Sequence, residues 1–439
     1  MAVEKQVDYR IPFITLVVVF FFVGFLTTVN GQFQGPLKSV FLNDAGESKN
    51  TLATLISFAW FLAYPLTGRV ASVWIVRFGY KKTLILGLLL LIGGLGLFGL
   101  SSVYTINFPQ SYFSIGIAMI PWGYIIFLLG SYAAGAAATV LQVVINPYLA
   151  ACEVQGTQPV QRLNIGGTAN SVGTTLAPFF VTGIVFGGMA MENIHISQIQ
   201  NAFIWLIIVV ILVVLAFIRM QLPDIGGTRT RDGEILEKSV WSFRHLTLGI
   251  IAIFFYVGVE VCVGANINLY TQELERTGRY FSFLGMDSFS ICGINMSVPA
   301  LMATFYWGGM LVGRLISSFI SGVSARVQLG ISATLAGLLT IGGIWLDNPW
   351  ILVAIGLFHS VMWGAIFTLS VNQLGKYTSI ASGIFMIGVI GGSLLPFCQG
   401  VFADLLGGEW RWTWLIVLLG EVYILYYALY GSEIKQSME

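Results

Sequence analysis

Charge is what this sequence has least of. Only 9% of its 439 residues are Asp, Glu, Lys or Arg, against about 25% in a soluble domain. The net charge is +1, which offers nothing to nucleic acid or another polyanion. Cysteine is scarce as well: the four present (Cys152, Cys262, Cys292, Cys398) have no paired spacing, so neither a disulfide frame nor a metal site is expected. Catalytic signatures are missing too. No H-E-x-x-H, G-x-S-x-G, phosphate-loop or paired-aspartate motif occurs, so a membrane-embedded transferase ranks low, no enzyme activity is expected, and no cofactor is implied.

What is abundant is apolar surface: 56% of the chain is hydrophobic, with 32 phenylalanines and 51 glycines. A spanning helix needs about 20 mostly apolar residues. On that criterion the polar breaks divide an all-α integral membrane protein into twelve spans near 11-41, 51-75, 83-103, 122-151, 162-188, 201-221, 246-271, 298-320, 328-346, 350-374, 377-403 and 412-431. The first is too long for a signal-peptide core and is read as a retained helix. The extra stretch at 104-121, amphipathic and bounded by proline, reads as an interfacial insertion or helix extension. Positive charge favours the cytoplasmic side. With the amino terminus inside, only Lys38, Lys49, Arg276, Arg279 and Arg411 of the 21 Lys and Arg fall outside, so both termini are expected to be cytoplasmic.

The most hydrophilic segment, 223-245, separates a bundle at 1-222 from a bundle at 246-439. The two share fragments: FFVG (21-24) with FFYVG (254-258), Gly68-Arg69 with Gly313-Arg314, and GTTLAPF (173-179) with GGSLLPF (391-397). Duplicated halves are a mark of transporters, in which one half rocks against the other around a central site.

Ionisable groups deep in a bilayer are expensive and usually face a cavity. Of 20 Asp and Glu, only Glu260 and Glu421 lie deep in apolar stretches. Glu260 stands about 21 Å into span seven at 1.5 Å per residue, with Tyr256 and Gly264 on its face. It is a candidate sugar or ion ligand. Glu421, among Leu, Val and Tyr, is read as structural. Polar stripes accompany Glu260: Thr168, Ser171 and Thr175 in span five with Asn170 beside them, Asn266, Asn268 and Tyr270 in span seven, and His359, Trp363 and Ser370 in span ten. In span four, LQVVINPYLA (141-150) puts Gln142 and Asn146 on one face. Pro147 removes a backbone hydrogen bond there, so the helix is expected to be interrupted beside a site. Amides and carboxylates bind hydroxyls while Trp or Tyr stacks on a sugar ring. Interhelical hydrogen bonding explains any one of these residues equally well.

Taken together, L-Q-V-V-I-N-P-Y in span four, RLNIGGTANSVG (162-173), FFYVGVEVCVG (254-264) and IFTLSVNQLG (366-375) resemble the fucose, galactose and glucose symporter branch of the major facilitator superfamily. VRFGYKK (76-82) is similar to the superfamily's loop between spans two and three. The resemblance implies twelve helices in two pseudo-symmetric six-helix bundles. It also implies a monomer in a bacterial inner membrane, and a central sugar site with a co-transported H+ or Na+. Its sugar-binding set here is Asn30, Gln142, Asn146, Asn170, Glu260, Asn266, His359 and Trp363, and Glu260 is the cation-coupling candidate. The chain departs from the branch where fucose carriers hold carboxylates: it has Gln142 and Gly31. Gly167 likewise replaces a glutamine. The proton-handling pair is therefore missing, and the two glycines should enlarge the pocket toward a disaccharide. An uncoupled facilitator and a membrane sugar sensor are the alternatives.

Overall fold

The computed structural model describes residues 9–434 except 43–44, 116–117, 153, 155–158, 189–192, 221, 223–237, 280–287, 292–293, 320–322 and 375–376. Most of the expected linker lies outside the described residues.

Among the described residues, nine helices are long and apolar enough to cross a membrane: α1 (Arg10–Phe41), α2 (Gly46–Ile75), α3 (Arg77–Asn107), α4 (Trp122–Leu149), α6 (Gln198–Arg219), α7 (Arg244–Arg276), α9 (Ala325–Leu346), α11 (Gly383–Leu405) and α12 (Arg411–Gly431). A tenth, α10, is the bent pair Pro349–His359 and Met362–Ser370. Two more helices, α5 (Pro159–Phe179) and α8 (Val298–Phe319), lie where spans five and eight are expected. The protein is thus a multi-pass membrane protein, and its helices are consistent with twelve spans. The stretch at 104-121 differs from expectation. Helix α3 runs on to Asn107, and an antiparallel hairpin follows, β1 (Tyr112–Ile115) on β2 (Ala118–Pro121). Pro109 disfavours helical backbone at Phe108 and so stops α3 there, and Pro121 ends the second strand before α4. A second hairpin, β3 (Ser288–Ile291) on β4 (Ile294–Ser297), precedes α8.

Helix direction alternates. The start of α1 meets the end of α6 through Thr15 and Met220, and the start of α7 meets the end of α10 through His245 Nε2 and the Asn372 carbonyl. That side is called the terminal face here. At the far face, Tyr124 Oη donates to the Leu52 carbonyl, and Arg411 Nε donates to the Ile344 carbonyl. The α2-to-α3 reversal is made at Gly79, whose φ of +78° suits glycine. Exposed large apolar side chains concentrate on α3, α6, α9 and α12, among them Leu89, Leu212, Leu338 and Leu419. These four helices present their outer faces to lipid.

The duplicated fragments meet in space. A Cβ at Gly173 of α5 would stand 2.3 Å from the Phe21 carbonyl oxygen of α1, and a Cβ at Gly391 of α11 would stand 1.8 Å from the Phe254 carbonyl oxygen of α7. FFVG therefore crosses GTTLAPF as FFYVG crosses GGSLLPF. In lipid, where burial against a neighbour gives no hydrophobic gain, small residues that let backbones approach supply the packing. Gly173→Val and Gly391→Val should each destabilise the protein by about 1–3 kcal/mol through overpacking, read as a lower melting temperature in detergent. Gly93→Ala, whose added Cβ meets nothing within 4 Å, should not.

Candidate functional site

Four of the eight singled-out residues, Gln142 and Asn146 of α4, Glu260 of α7 and Trp363 of α10, are half-buried on helices of both halves. Gln142 of α4 is half-buried, and its Nε2 donates to Tyr64 Oη of α2 at 2.6 Å. The Tyr64 ring stacks on Phe61, centroids 5.7 Å apart, which fixes the hydroxyl that orients the amide. One turn on, Asn146 is half-buried and makes no side-chain hydrogen bond among the described residues. Across from them, Glu260 of α7 is also half-buried, and its Oε1 accepts from Tyr256 Oη at 3.0 Å. Its charge reaches Tyr64, so the Gln142–Tyr64 pair and Glu260 share one electrostatic neighbourhood. Trp363 of α10 packs edge-on against Tyr256 with centroids 6.3 Å apart. Both Asn146 and Trp363 keep polar groups without a protein partner among the described residues.

The other four sit inside helix junctions. Asn30 is buried: its Nδ2 donates to the Ile56 carbonyl at 3.2 Å and its Oδ1 accepts from Ser131 Oγ at 2.5 Å, which joins α1, α2 and α4. Asn170 Nδ2 donates to the Phe20 carbonyl at 3.0 Å, at the glycine crossing of α1 and α5. Asn266, fully buried, donates from Nδ2 to Gln399 Oε1 at 2.9 Å and to the Pro396 carbonyl at 3.2 Å. His359, fully buried, bonds Tyr306 and Glu421. Helical spacing shows which residues share a face. It does not show what stands opposite, and a buried amide takes the first partner it meets.

Three sequence expectations are corrected. Helix α4 continues through Pro147 to Ala151; the interruption lies instead in α10, bent 42° between His359 and Met362, and in the 3-10 turn Met386–Ile390 of α11. Gly31 opens no pocket, because a Cβ there would lie 3.2 Å from Ala265 Cβ: the closeness of α1 and α7 has filled the space. At Gly167 the space is open, with nothing within 4 Å. Glu421, expected among Leu, Val and Tyr, instead has the His359 imidazole against its Oε1.

Residues outside the sugar-binding set expected from the sequence complete the region. Arg314 of α8 reaches the other half: Nη1 donates to the Gly167 carbonyl at 3.2 Å and to Ser171 Oγ, while Nε donates to the Ser360 carbonyl at 3.3 Å. Grouped with the inner-face arginines by charge counting, it is in fact half-buried within an apolar helix. At the far face, Gln32 Nε2 donates to the Gly264 carbonyl at 2.8 Å and Asn268 Nδ2 donates to Gln32 Oε1 at 2.5 Å. Asp404 of α11 accepts from the backbone N–H groups of Asn50 and Thr51 at 3.1 and 2.7 Å and from Asn50 Nδ2 at 2.9 Å. A carboxylate at the start of α2 is favoured by the unpaired N–H groups and the helix dipole. These ties join the halves on the far side of Glu260, and the open groups lie between them and the terminal face.

No family model matches the chain. It is 29% identical over 436 residues to a glucose/galactose transporter of Brucella abortus, covering 98% of this chain and 96% of that one. Among solved structures it is similar to the fucose–proton symporter of E. coli, with a TM-score of 0.64 at 20% identity over 97% of this chain and 100% of that one. A D-xylose–proton symporter gives 0.67 at 15% identity over 98% and 100%. The fold is that of the major facilitator superfamily.

The far-face closure is testable directly. With Cβ atoms 3.2 Å apart, close to the 3.5–4.5 Å of a disulfide, Gly31→Cys and Ala265→Cys together should cross-link in membranes under mild oxidant. Gly167→Cys with Ala265→Cys should stay reduced. Mass spectrometry of the digested protein distinguishes the two.

Proposed function

We propose that this major facilitator superfamily chain carries a sugar across a bacterial inner membrane by alternating access, with both termini cytoplasmic. The 1-222 and 246-439 bundles rock about the region between them, joined by the 223-245 linker, in a protein that works as a monomer. The observation that carries this reading is the company of Glu260. A half-buried carboxylate at mid-membrane has one oxygen held by Tyr256, and it shares its surroundings with an amide oriented by Tyr64 and an indole braced by Tyr256. Such a set suits neutral hydroxyls: the carboxylate accepts, the amides do both, and the indole face lies along C–H groups. The similarity to transporters named for glucose, galactose, fucose and xylose supports the same substrate class.

Gln142, Asn146, Glu260 and Trp363 form the sugar site, and Tyr64 and Tyr256 position it. Asn30, Asn170 and Asn266 serve it as struts. Only Gly167 adds room, so a hexose fits this reading better than a disaccharide. Coupling to H+ or Na+ runs through Glu260, since Gln142 cannot release a proton and Gly31 has no side chain. Those same two residues favour a second reading, an uncoupled facilitator.

Purified protein in vesicles decides, with labelled D-glucose, D-galactose, L-fucose and lactose, and with a proton gradient, a sodium gradient or neither. The expected result is saturable uptake of a hexose, concentrated by one of the gradients. Gln142→Ala and Trp363→Ala should each raise the half-saturating concentration about 5- to 10-fold, the worth of about one hydrogen bond or ring contact. Uptake of none of the sugars would overturn the proposal. Uptake that only equilibrates would select the facilitator, and accumulation unchanged in Glu260→Gln would remove that residue from coupling.

A further inference from the structure

Behind Glu260 lies a second group of ionisable side chains that the sugar site does not use. His359 of α10 is 0% exposed and Glu421 of α12 is 1% exposed, with Nε2 and Oε1 2.7 Å apart. On the other side of the ring, Nδ1 is 2.7 Å from Tyr306 Oη of α8. The same hydroxyl lies 3.2 Å from the backbone carbonyl oxygen of Glu260. The second oxygen of Glu421, Oε2, is buried without a partner among the described residues.

Counting donors shows what this chain of atoms does. Tyr306 has one proton to give. If it goes to Nδ1, the imidazole is neutral and its remaining N–H, on Nε2, donates to Glu421. If it goes to the Glu260 carbonyl, which only accepts, then Nδ1 must carry its own hydrogen and donate to Tyr306. With Nε2 still donating to Glu421, the ring is then an imidazolium. Rotation of one hydroxyl therefore satisfies both protonation states of His359. A purely structural histidine needs one state only.

Charge gives the same direction. With a neutral His359 and an ionised Glu421, the pair carries −1 in the protein interior with a carboxylate oxygen unpaired, which is costly. One proton taken from water makes the pair neutral, and returning it to water restores −1. The other titratable or charged groups around the pair are Tyr256 and Glu260 on α7, with Cys262 behind Tyr306, and Arg314 on α8. From α9 the described contribution is Arg326, which is engaged at the helix start with the Ala428 and Leu429 carbonyls and with Glu433. Among the described residues, Arg314 is the cation near the pair. It bonds the carbonyl next to His359, that of Ser360, and also reaches across to Gly167 and Ser171 of the other half. Separation of α5 from α8 would release that arm toward the pair.

We propose that His359 and Glu421 form a proton-binding site, switched by the Tyr306 hydroxyl and linked to movement of the halves through Arg314. The proposal rests on the transport reading and deepens it: Glu260 meets sugar and cation in the cleft, and the buried pair holds the proton during the crossing.

The test uses the full chain in vesicles with labelled D-galactose, together with [15N]histidine NMR of the same protein in lipid nanodiscs. A gradient of about one pH unit drives about a tenfold accumulation in a one-to-one symporter. His359→Gln and Glu421→Gln should bring that ratio back to about one while sugar exchange at equal concentrations persists. In the wild type, the His359 resonances, assigned by their loss in His359→Gln, should pass between neutral and doubly protonated forms over the pH range in which the protein stays folded, and Tyr306→Phe should shift that transition. Proton-driven accumulation in His359→Gln equal to wild type would overturn the proposal, as would wild-type accumulation driven by sodium alone. If the variants lose exchange, or the wild type moves no D-galactose and the transport reading itself fails, the titration decides: one protonation state across that range overturns the site, and a transition displaced by Tyr306→Phe supports it.

Discussion

A polar group at the depth of the hydrocarbon core finds no water, so it must be satisfied by the protein or face a wet cavity. The rest of this structure follows from that constraint. It sorts side chains of one chemical type into two populations. Asn30, Asn170 and Asn266 are bonded across helix junctions, where each joins two or three helices. Asn146 and Gln142 remain half-buried beside the cleft. A membrane-embedded amide that is half-buried and has no side-chain hydrogen bond among the described residues, as Asn146 is, is a better mark of a binding site than polarity alone.

Most of the architecture was legible in the sequence, because long apolar stretches between polar breaks leave few other solutions. The fragments FFVG with GTTLAPF and FFYVG with GGSLLPF were legible for a related reason: a glycine stands where two backbones touch, at Phe21 with Gly173 and at Phe254 with Gly391, and no larger residue fits there. What could not be read was which residue stands across a junction. The spacing of Gln142 and Asn146 gave the shared face but not Tyr64. The space above Gly31 looked empty from one helix and is occupied by Ala265 of another. Glu421 has only apolar sequence neighbours, and nothing local shows that α12, whose outer face meets lipid, turns this one carboxylate inward onto His359. Pro147 illustrates the opposite error. A proline weakens a helix where it stands, but packing on both sides carried α4 past it, and the break formed in α10 without a proline between His359 and Met362.

The two halves share a backbone plan and differ in chemistry. Gly68-Arg69 and Gly313-Arg314 occupy matching places in α2 and α8, yet Arg69 is exposed while Arg314 reaches into the opposite half. Around the cleft the first half contributes neutral groups, Gln142, Tyr64, Asn146 and Ser171. The second contributes Glu260 and Arg314, with His359 and Glu421 buried behind them. The shared fragments are thus joined to different side-chain chemistry, with the ionisable groups in the second half.

That asymmetry bears on how transport and coupling would divide under the proposed function. A neutral half can bind hydroxyls without depending on pH, so the affinity it supplies is constant through the cycle. A half that carries three ionisable groups within contact of one bent helix, α10, can change its net charge by one and feel the change as a difference in helix packing, since an unbalanced charge at that depth is costly. Arg314 is the point at which the two meet, bonded on one side to the carbonyl after His359 and on the other to α5. Any proton gained or lost behind α10 alters what that guanidinium is attracted to, and so alters the balance between the two positions of the halves. Absence of the acids at Gln142 and Gly31 then need not mean absence of coupling: the charge that responds to a proton has a place in the second half, one layer behind the sugar.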